Sequence, residues 1–315
     1  MLAYAARRIP SALVVLFLAS IAIFAVLRLT PGSPAVVLAG PDADPATIAS
    51  ITHELGLDLP LPEQYAIWLR GIVTGHMGQS YILGAPIATL IGRGLSNTAE
   101  LTVAAVGLAI VIALVVGIVG ATTGSRVLKT LVVTFTTVSF AVPTFISGVV
   151  LVLIFAVGLH VLPPGGHASF GSGPLTALRF LILPAVCLAL PAAAVLARFL
   201  QTSLQHVLDE EYIRVARAKG LPWRQILVRH ALPNAFPGVV TVLGIQFGQL
   251  LGGAVIVEAI FAWPGLGQLI LQSFVSRDYL LVQDLVLLSV TVFIVMQTLT
   301  DLAHAALDPR LRLER

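Results

Sequence analysis

Residues 99–121 read AELTVAAVGLAIVIALVVGIVGA, and Glu100 is the only charged side chain among them. A helix needs about 20 mostly apolar residues to cross the hydrocarbon core of a bilayer, where each backbone amide must find its partner within its own segment. This stretch therefore predicts a transmembrane helix, and it makes lipid the main solvent in which the chain folds.

Five other stretches have the length and apolar character of a span. Pro143 lies inside the third and predicts a kink or a tilted entry there, because proline cannot continue the helical hydrogen-bond ladder. The predicted fold class is all-α, a polytopic membrane protein with six transmembrane helices. The predicted spans are about Ile9–Leu29, Ala99–Ala121, Leu131–Leu159, Leu178–Leu200, Gly238–Phe261 and Val282–Ala303.

The composition supports a membrane protein. Of 315 residues, 57% are hydrophobic and 10% are charged, against roughly a quarter charged in ordinary soluble domains. The net charge of +3 is spread thinly between apolar runs, which argues against nucleic-acid binding. The single cysteine, Cys187, can form no intramolecular disulfide and no metal site by itself.

The distribution of basic residues predicts the orientation, because cytoplasmic loops retain lysine and arginine. If the amino terminus lies inside, thirteen of the 18 basic residues fall on the inner side. The five left outside are Arg28, Arg70, Arg93, Arg179 and Arg277. Both termini are therefore predicted to be cytoplasmic.

The chain is predicted to divide into three parts. Residues 1–30 form an N-terminal anchor helix, which is longer than the apolar region of a signal peptide and is expected to stay uncleaved. Residues 31–98 form an extracytoplasmic cap with a helical pattern around Pro62–Val73. Residues 99–315 form a five-helix core with a charged cytoplasmic loop at about 201–237.

The inner loop predicts a short helix, a break and a second helix. Acidic residues from Asp209 open the first helix and basic residues up to Lys219 close it, which complements the helix dipole. Gly220 and Pro222 then predict a stop, and the second helix is expected to run from Pro222 to Pro233. The first helix is too polar to insert and too short to be stable alone, so it requires a partner protein or a layer of lipid headgroups.

The run Ala216-Arg217-Ala218-Lys219-Gly220-Leu221, followed by Leu232-Pro233-Asn234, resembles the EAA loop of ABC importer permeases. Arg214-Val215-Ala216 stands where that motif has Glu-Ala-Ala, as in its peptide-type branch. The resemblance implies a coupling helix that docks in a cleft of an ATPase. The positions it assigns to this role are Glu211, Tyr212, Arg214, Ala216, Arg217, Ala218, Lys219, Gly220 and Leu221.

Other segments are similar to the dipeptide, oligopeptide and nickel permeases. They are Leu27–Pro34, Leu55–Asp58, Gly78–Tyr81, Ser139–Phe145 and Val257–Gly267, with His76-Met77 as a departure from the usual residues. The resemblance implies a type I ABC importer permease fold in the cytoplasmic membrane of a prokaryote. Its partners would be a second homologous permease, two ATPase subunits that bind ATP and Mg²⁺, and an extracytoplasmic substrate-binding protein. The implied cargo is a di- or oligopeptide, with nickel chelate, glutathione and haem as alternatives.

Glu258 and Pro143 are the candidates for a substrate passage or gate. A carboxylate at membrane depth requires a partner or water, so Glu258 is expected to face protein or the passage. Arg198, at the inner end of a span, is interpreted as a boundary residue.

No enzyme motif is found. The chain has only two lysines, Lys129 and Lys219, and neither lies in a phosphate-binding loop. We therefore expect no catalytic residue, no metal and no cofactor in this chain. An ion-coupled secondary transporter is the rival reading, although such proteins usually place ionisable residues at the midplane.

Overall fold

The computed structural model describes residues 2–29, 33–40, 42–171 and 173–307, and the side chains of those between 10 and 298. Within these ranges the backbone is mostly helical, and its extended pairing is an isolated bridge between Gln79 and Pro86. The helices are α1 Leu2–Leu29, α2 Pro34–Ala39, α3 Pro45–Glu54, α4 Leu61–Thr74, α5 Ile87–Thr122, α6 Arg126–Ala141, α7 Thr144–Leu151, α8 Pro174–Asp209, α9 Glu211–Ala218, α10 Trp223–Gln225, α11 Leu232–Ile260, α12 Leu266–Val275 and α13 Tyr279–Leu307.

Among the described residues, five helical stretches are long and apolar enough to cross a membrane. A sixth arises if the bent pair α6 and α7 forms one span. The all-α polytopic fold is thus confirmed. Helices α5 and α8 extend well past the predicted span ends, since each has 36 residues. The five stretches are Pro10–Leu29, Ile87–Thr122, Pro174–Asp209, Trp223–Ile260 and Tyr279–Thr298.

The third predicted span is broken rather than kinked. Helices α6 and α7 meet at 109°, so the interruption expected at Pro143 is present as a sharp bend, larger than a kink or a tilt. Val142 is extended, with φ −79° and ψ 122°, because the ring of Pro143 disfavours helical geometry in the residue before it. A wider π-helical stretch, Val152–Gly158, continues α7.

One compact unit, here the core unit, contains residues 99–263 and, among the described residues, 296–307. Helix α8 lies at its centre and packs against α6, α7 and α11. Its buried face is rich in alanine, including Ala189, Ala193 and Ala197. Small side chains let helix backbones approach closely, which is how helices associate in lipid.

The other compact unit, here the cap unit, contains residues 2–98 and 264–295. Its buried aromatic cluster joins α1, α4 and α13 through Phe24, Tyr65, Trp68 and Leu287. The indole of Trp68 donates a 2.7 Å hydrogen bond to the Asp284 carboxylate. The predicted helix around Pro62–Val73 is α4, whereas the linear division at residues 30 and 98 stays a prediction.

The close contact of α5 with α8 makes a packing prediction. A Cβ atom at Gly117 would lie 3.0 Å from the carbonyl oxygen of Ala197, whereas one at Gly107 would meet nothing within 4 Å. We expect Gly117→Val to destabilise the folded chain by about 1–3 kcal/mol through overpacking. Gly107→Val is the matched control in the same helix, and thermal unfolding in detergent measures both. Equal melting temperatures for the two variants would contradict this packing.

Candidate functional site: the inner helix and its exposed face

Helix α9 is set off from α8 by a single extended residue. Glu210 has φ −64° and ψ 147°, which ends α8 and starts α9 at Glu211. An acidic residue lies in the first turn of α9 and Arg217 lies in the last. Both charges oppose the adjacent end of the helix dipole, so this short helix is stabilised at each terminus.

The C-terminus of α9 is closed by a Schellman motif. The amide of Leu221 donates to the carbonyl of Ala216 at 3.3 Å, and the amide of Gly220 donates to the carbonyl of Arg217 at 2.9 Å. Gly220 has φ +75°, a left-handed conformation that glycine adopts without strain. The predicted break is therefore confirmed, and Gly220 is what permits it.

The helix that follows is longer than predicted. Residues Ile226–Ala231 form a π-helical stretch after α10, and α11 continues from it at Leu232. The predicted end at Pro233 is wrong. This proline lies in the first turn of α11, where its missing amide costs little, and the wider turn before it lets the helix continue.

Helix α9 has one buried and one exposed face. Ile213 and Ala216 are buried in a cluster with Leu204, Leu208 and Ile226. Seven of the nine predicted coupling positions are exposed, while Ala216 is buried and Leu221 is half-buried. The exposed ones are Glu211, Tyr212, Arg214, Arg217, Ala218, Lys219 and Gly220. Ala216 and Leu221 thus anchor the helix, and the other seven are open to a partner.

The exposed face is both apolar and basic. Tyr212 is 43% exposed and Val215 is 52% exposed. The guanidinium of Arg217 lies 5.3 Å from the ring centre of Trp223, another exposed aromatic residue. We call Tyr212, Arg214, Val215, Arg217, Lys219 and Trp223 the docking face. Its aromatic, aliphatic and arginine side chains are the types that anchor protein interfaces.

The two passage candidates lie in different settings of the core unit. Glu258 is fully buried in α11. Pro143 is exposed and begins the turn into α7. A role for either in a passage stays a prediction.

Arg198, interpreted from the sequence as a boundary residue, makes contacts that the sequence does not reveal. This residue lines a cavity of about 540 Å³ beside α8, together with Phe140, Phe199 and His206. Its guanidinium donates to the hydroxyl of Thr137 at 2.9 Å, which ties α8 to α6. No local sequence pattern marks this role, because Thr137 is 61 positions away.

Comparison with known proteins identifies the family that shares this architecture. Residues 109–313 match the family described as binding-protein-dependent transport system inner membrane component, and residues 1–119 match the N-terminal family of such membrane components. The chain belongs to the binding-protein-dependent transport system inner membrane components. It is a multi-pass inner-membrane permease subunit of an ABC importer.

The sequences of curated relatives align with nearly the whole of this permease. It is 36% identical to a probable peptide ABC transporter permease protein of Sinorhizobium fredii, over 98% of this chain and 99% of the relative. It is also 36% identical to a glutathione transport system permease protein of Escherichia coli, over 99% of each.

Solved structures of ABC importers share the fold. The inward-facing MetNI methionine ABC transporter aligns with a TM-score of 0.57 at 24% identity, over 71% of this permease and 98% of that chain. An amino acid ABC transporter with histidines aligns with a TM-score of 0.54 at 18% identity, over 69% and 94%.

The two faces of α9 predict opposite responses to a charge. We expect Ile213→Asp to destabilise the permease by about 3 kcal/mol or more, because a carboxylate would be buried without a partner. Val215→Asp should change stability by less than about 0.5 kcal/mol, since that position is exposed. Thermal unfolding of the two variants in detergent tests the assignment. A larger loss for Val215→Asp would mean that the buried and exposed faces are exchanged.

Proposed function

We propose that this permease forms one half of the passage of an ATP-driven importer, paired with a second homologous permease. Two ATPase subunits dock inside, where they bind ATP and Mg²⁺, and a substrate-binding protein delivers cargo outside. The docking face, formed by α9 and the start of α10, is the observation that carries the proposal. It exposes apolar and basic side chains on a helix too short to be stable alone.

The way α9 is held explains how force would reach the spans. Its buried residues, Ile213 and Ala216, pack into one cluster with residues of α8 and α11. Glu210 and Gly220 are the breaks on either side of it. Movement of an ATPase bound to the docking face would therefore displace α8 and α11 together, which is the rigid-body element that alternating access requires.

The proposed orientation places α9 inside the cell. It follows from the excess of basic residues in the inner connections, and it puts both termini in the cytoplasm. Residues 31–98 are then extracytoplasmic, where the binding protein would meet the permease. The permease itself would hydrolyse nothing and hold no cofactor, because nucleotide chemistry resides in the ATPases.

Peptides are the proposed cargo. Relatives at 36% identity that align over nearly the whole chain are named as peptide permeases. Glutathione is a second candidate, because a relative of equal identity and coverage is named for glutathione transport. The two cargoes share peptide bonds and free carboxylates, so one passage chemistry could serve either.

Glu258 and Pro143 are proposed to shape the passage. A carboxylate fully buried in an apolar helix is costly unless it is paired, so we assign Glu258 to holding the outer end of α11 in place. Pro143 is assigned to the bend between α6 and α7, which creates a non-helical corner within a predicted span.

Replacing Gly220 tests the coupling proposal. Gly220→Val forces a branched side chain into a left-handed conformation, which costs about 1–2 kcal/mol and distorts the end of α9. A Cβ there meets nothing within 4 Å, so the rest of the fold should persist. In proteoliposomes with all partner subunits, we expect peptide uptake to fall at least tenfold while ATP hydrolysis continues.

Gly124→Val is the matched control, since Gly124 lies between α5 and α6 with equally open space around its Cβ position. It should leave uptake per ATP unchanged. Normal uptake by Gly220→Val, with the variant inserted and assembled, would count against α9 as the coupling helix.

A further inference from the structure

The cavity beside Arg198 is a groove along the C-terminal half of α8, here the α8 groove. Its volume of about 540 Å³ lies within the range of about 300–1,000 Å³ that is typical of small-molecule sites. Ala194 and His206 both line it and are 12 positions apart on α8, which is about 18 Å at the rise of an α-helix. One leaflet of a bilayer, with its headgroups, is about 20 Å thick. The groove is therefore about as long as a phospholipid.

The lining of the α8 groove changes from apolar to polar along its length. The end nearer the middle of the predicted span includes Phe140, Ala194 and Val195. The other end, past the last residue of that span, includes Thr202 and His206. A phospholipid has the same order, because its acyl chains point to the middle of the bilayer and its headgroup lies at the surface. The groove thus matches a lipid in polarity as well as in length.

Arg198 lies between these two ends and supplies a positive charge. It is exposed, and its partners in the described part of the chain are the neutral hydroxyls of Thr136 at 3.3 Å and Thr137 at 2.9 Å. No aspartate or glutamate is found among the described residues that line the groove. A guanidinium at the edge of the hydrocarbon is costly without an anion. Phosphate is suited to this role, because it accepts two parallel hydrogen bonds from arginine.

We propose that the α8 groove binds an anionic phospholipid of the inner leaflet. The phosphate accepts from Arg198, an acyl chain lies against Phe140 and Val195, and the rest of the headgroup lies toward Ser203 and His206. Basic pockets between spans on the cytoplasmic side commonly bind anionic headgroups. An anionic lipid is favoured over phosphatidylcholine, because the groove has no acid to pair with the choline cation. Placement in the inner leaflet rests on the proposed orientation.

Cargo fits the α8 groove less well than lipid does. A peptide carries amide groups along its length, and those beside Phe140, Ala194 and Val195 would be desolvated without a hydrogen-bond partner. A lipid places only hydrocarbon there. It would also contact α6 and α8 at once, beside the bonds by which Arg198 joins these two helices.

The test is photolabelling of the assembled transporter in phosphatidylcholine nanodiscs, with phosphatidylglycerol that carries a photoreactive acyl chain. We expect mass spectrometry to find label on the groove residues of α6 and α8. Replacing part of the phosphatidylcholine by unlabelled phosphatidylglycerol should lower this labelling at least tenfold and leave label elsewhere on the spans unchanged. The comparison uses the unmodified protein, so it does not depend on any variant folding.

Three results of this experiment would overturn the proposal. Labelling of the groove that falls no more than labelling elsewhere would show a nonspecific lipid contact. A groove without label would show that protein, such as the second permease, covers it. Displacement of the label by L-alanyl-L-alanine would assign the groove to cargo.

Variants test the role of Arg198. Arg198→Gln should lower labelling of the groove at least tenfold, whereas Arg198→Lys keeps the charge and should retain most of it. The matched control is Arg179→Gln, at an exposed arginine near the other end of α8, and it should have no effect. Thr137→Val removes a hydroxyl partner but keeps the charge, so labelling should persist.

Unchanged labelling in Arg198→Gln would overturn the assignment. So would an equal loss in Thr137→Val, because Arg198 would then only hold α6 against α8. The coupling test at Gly220 measures uptake per ATP, so either proposal can fail without the other.

Discussion

Backbone amides have no water to bind in the hydrocarbon core, so the chain must either stay helical there or break where protein or water can satisfy the freed groups. Each place where a helix of the permease breaks can therefore be interpreted from its surroundings. The break at Pro143 lies between two apolar helices that meet at 109°. The breaks at Glu210 and Gly220 lie in charged sequence, where water is close. The first interrupts a predicted span, and the other two set α9 apart from its neighbouring helices.

Helix α8 connects these features. Its alanine-rich face packs against α6, α7 and α11, and α9 follows its C-terminus after one extended residue. A helix buried along much of its length cannot shift without moving its neighbours, because packed interiors transmit displacement. Ile213 and Ala216 extend the same cluster to the inner surface. Within the core unit, this cluster links α9 to α8 and α11.

Much of this architecture could be predicted from the sequence, because helices that cross lipid must be long and apolar. Long apolar runs mark spans, and Gly220 with Pro222 marks the end of α9 through local backbone chemistry. The failures have physical causes of their own. The angle at Pro143 depends on what α6 and α7 pack against, and the continuation through Pro233 depends on a π-helical turn that has no clear sequence signature.

Other features could not be predicted because they join distant residues. The bond from Trp68 to Asp284 spans 216 positions, and the bond from Arg198 to Thr137 spans 61. The α8 groove likewise combines residues of α6 and α8. At the predicted coupling positions, the residue types were visible in the sequence, but the division into a buried face and an exposed face required the fold.

As proposed above, the permease moves cargo only with energy that separate ATPases deliver. Stepwise reconstitution into liposomes measures this directly, by following uptake of labelled peptide as each partner subunit is added. We predict no uptake and no ATP hydrolysis by the permease alone, and uptake only when the second permease, the ATPases, the binding protein and ATP are all present. Uptake by the single chain under an ion gradient, or ATP cleavage by it, would show that the permease is not a passive half of an ATP-driven importer.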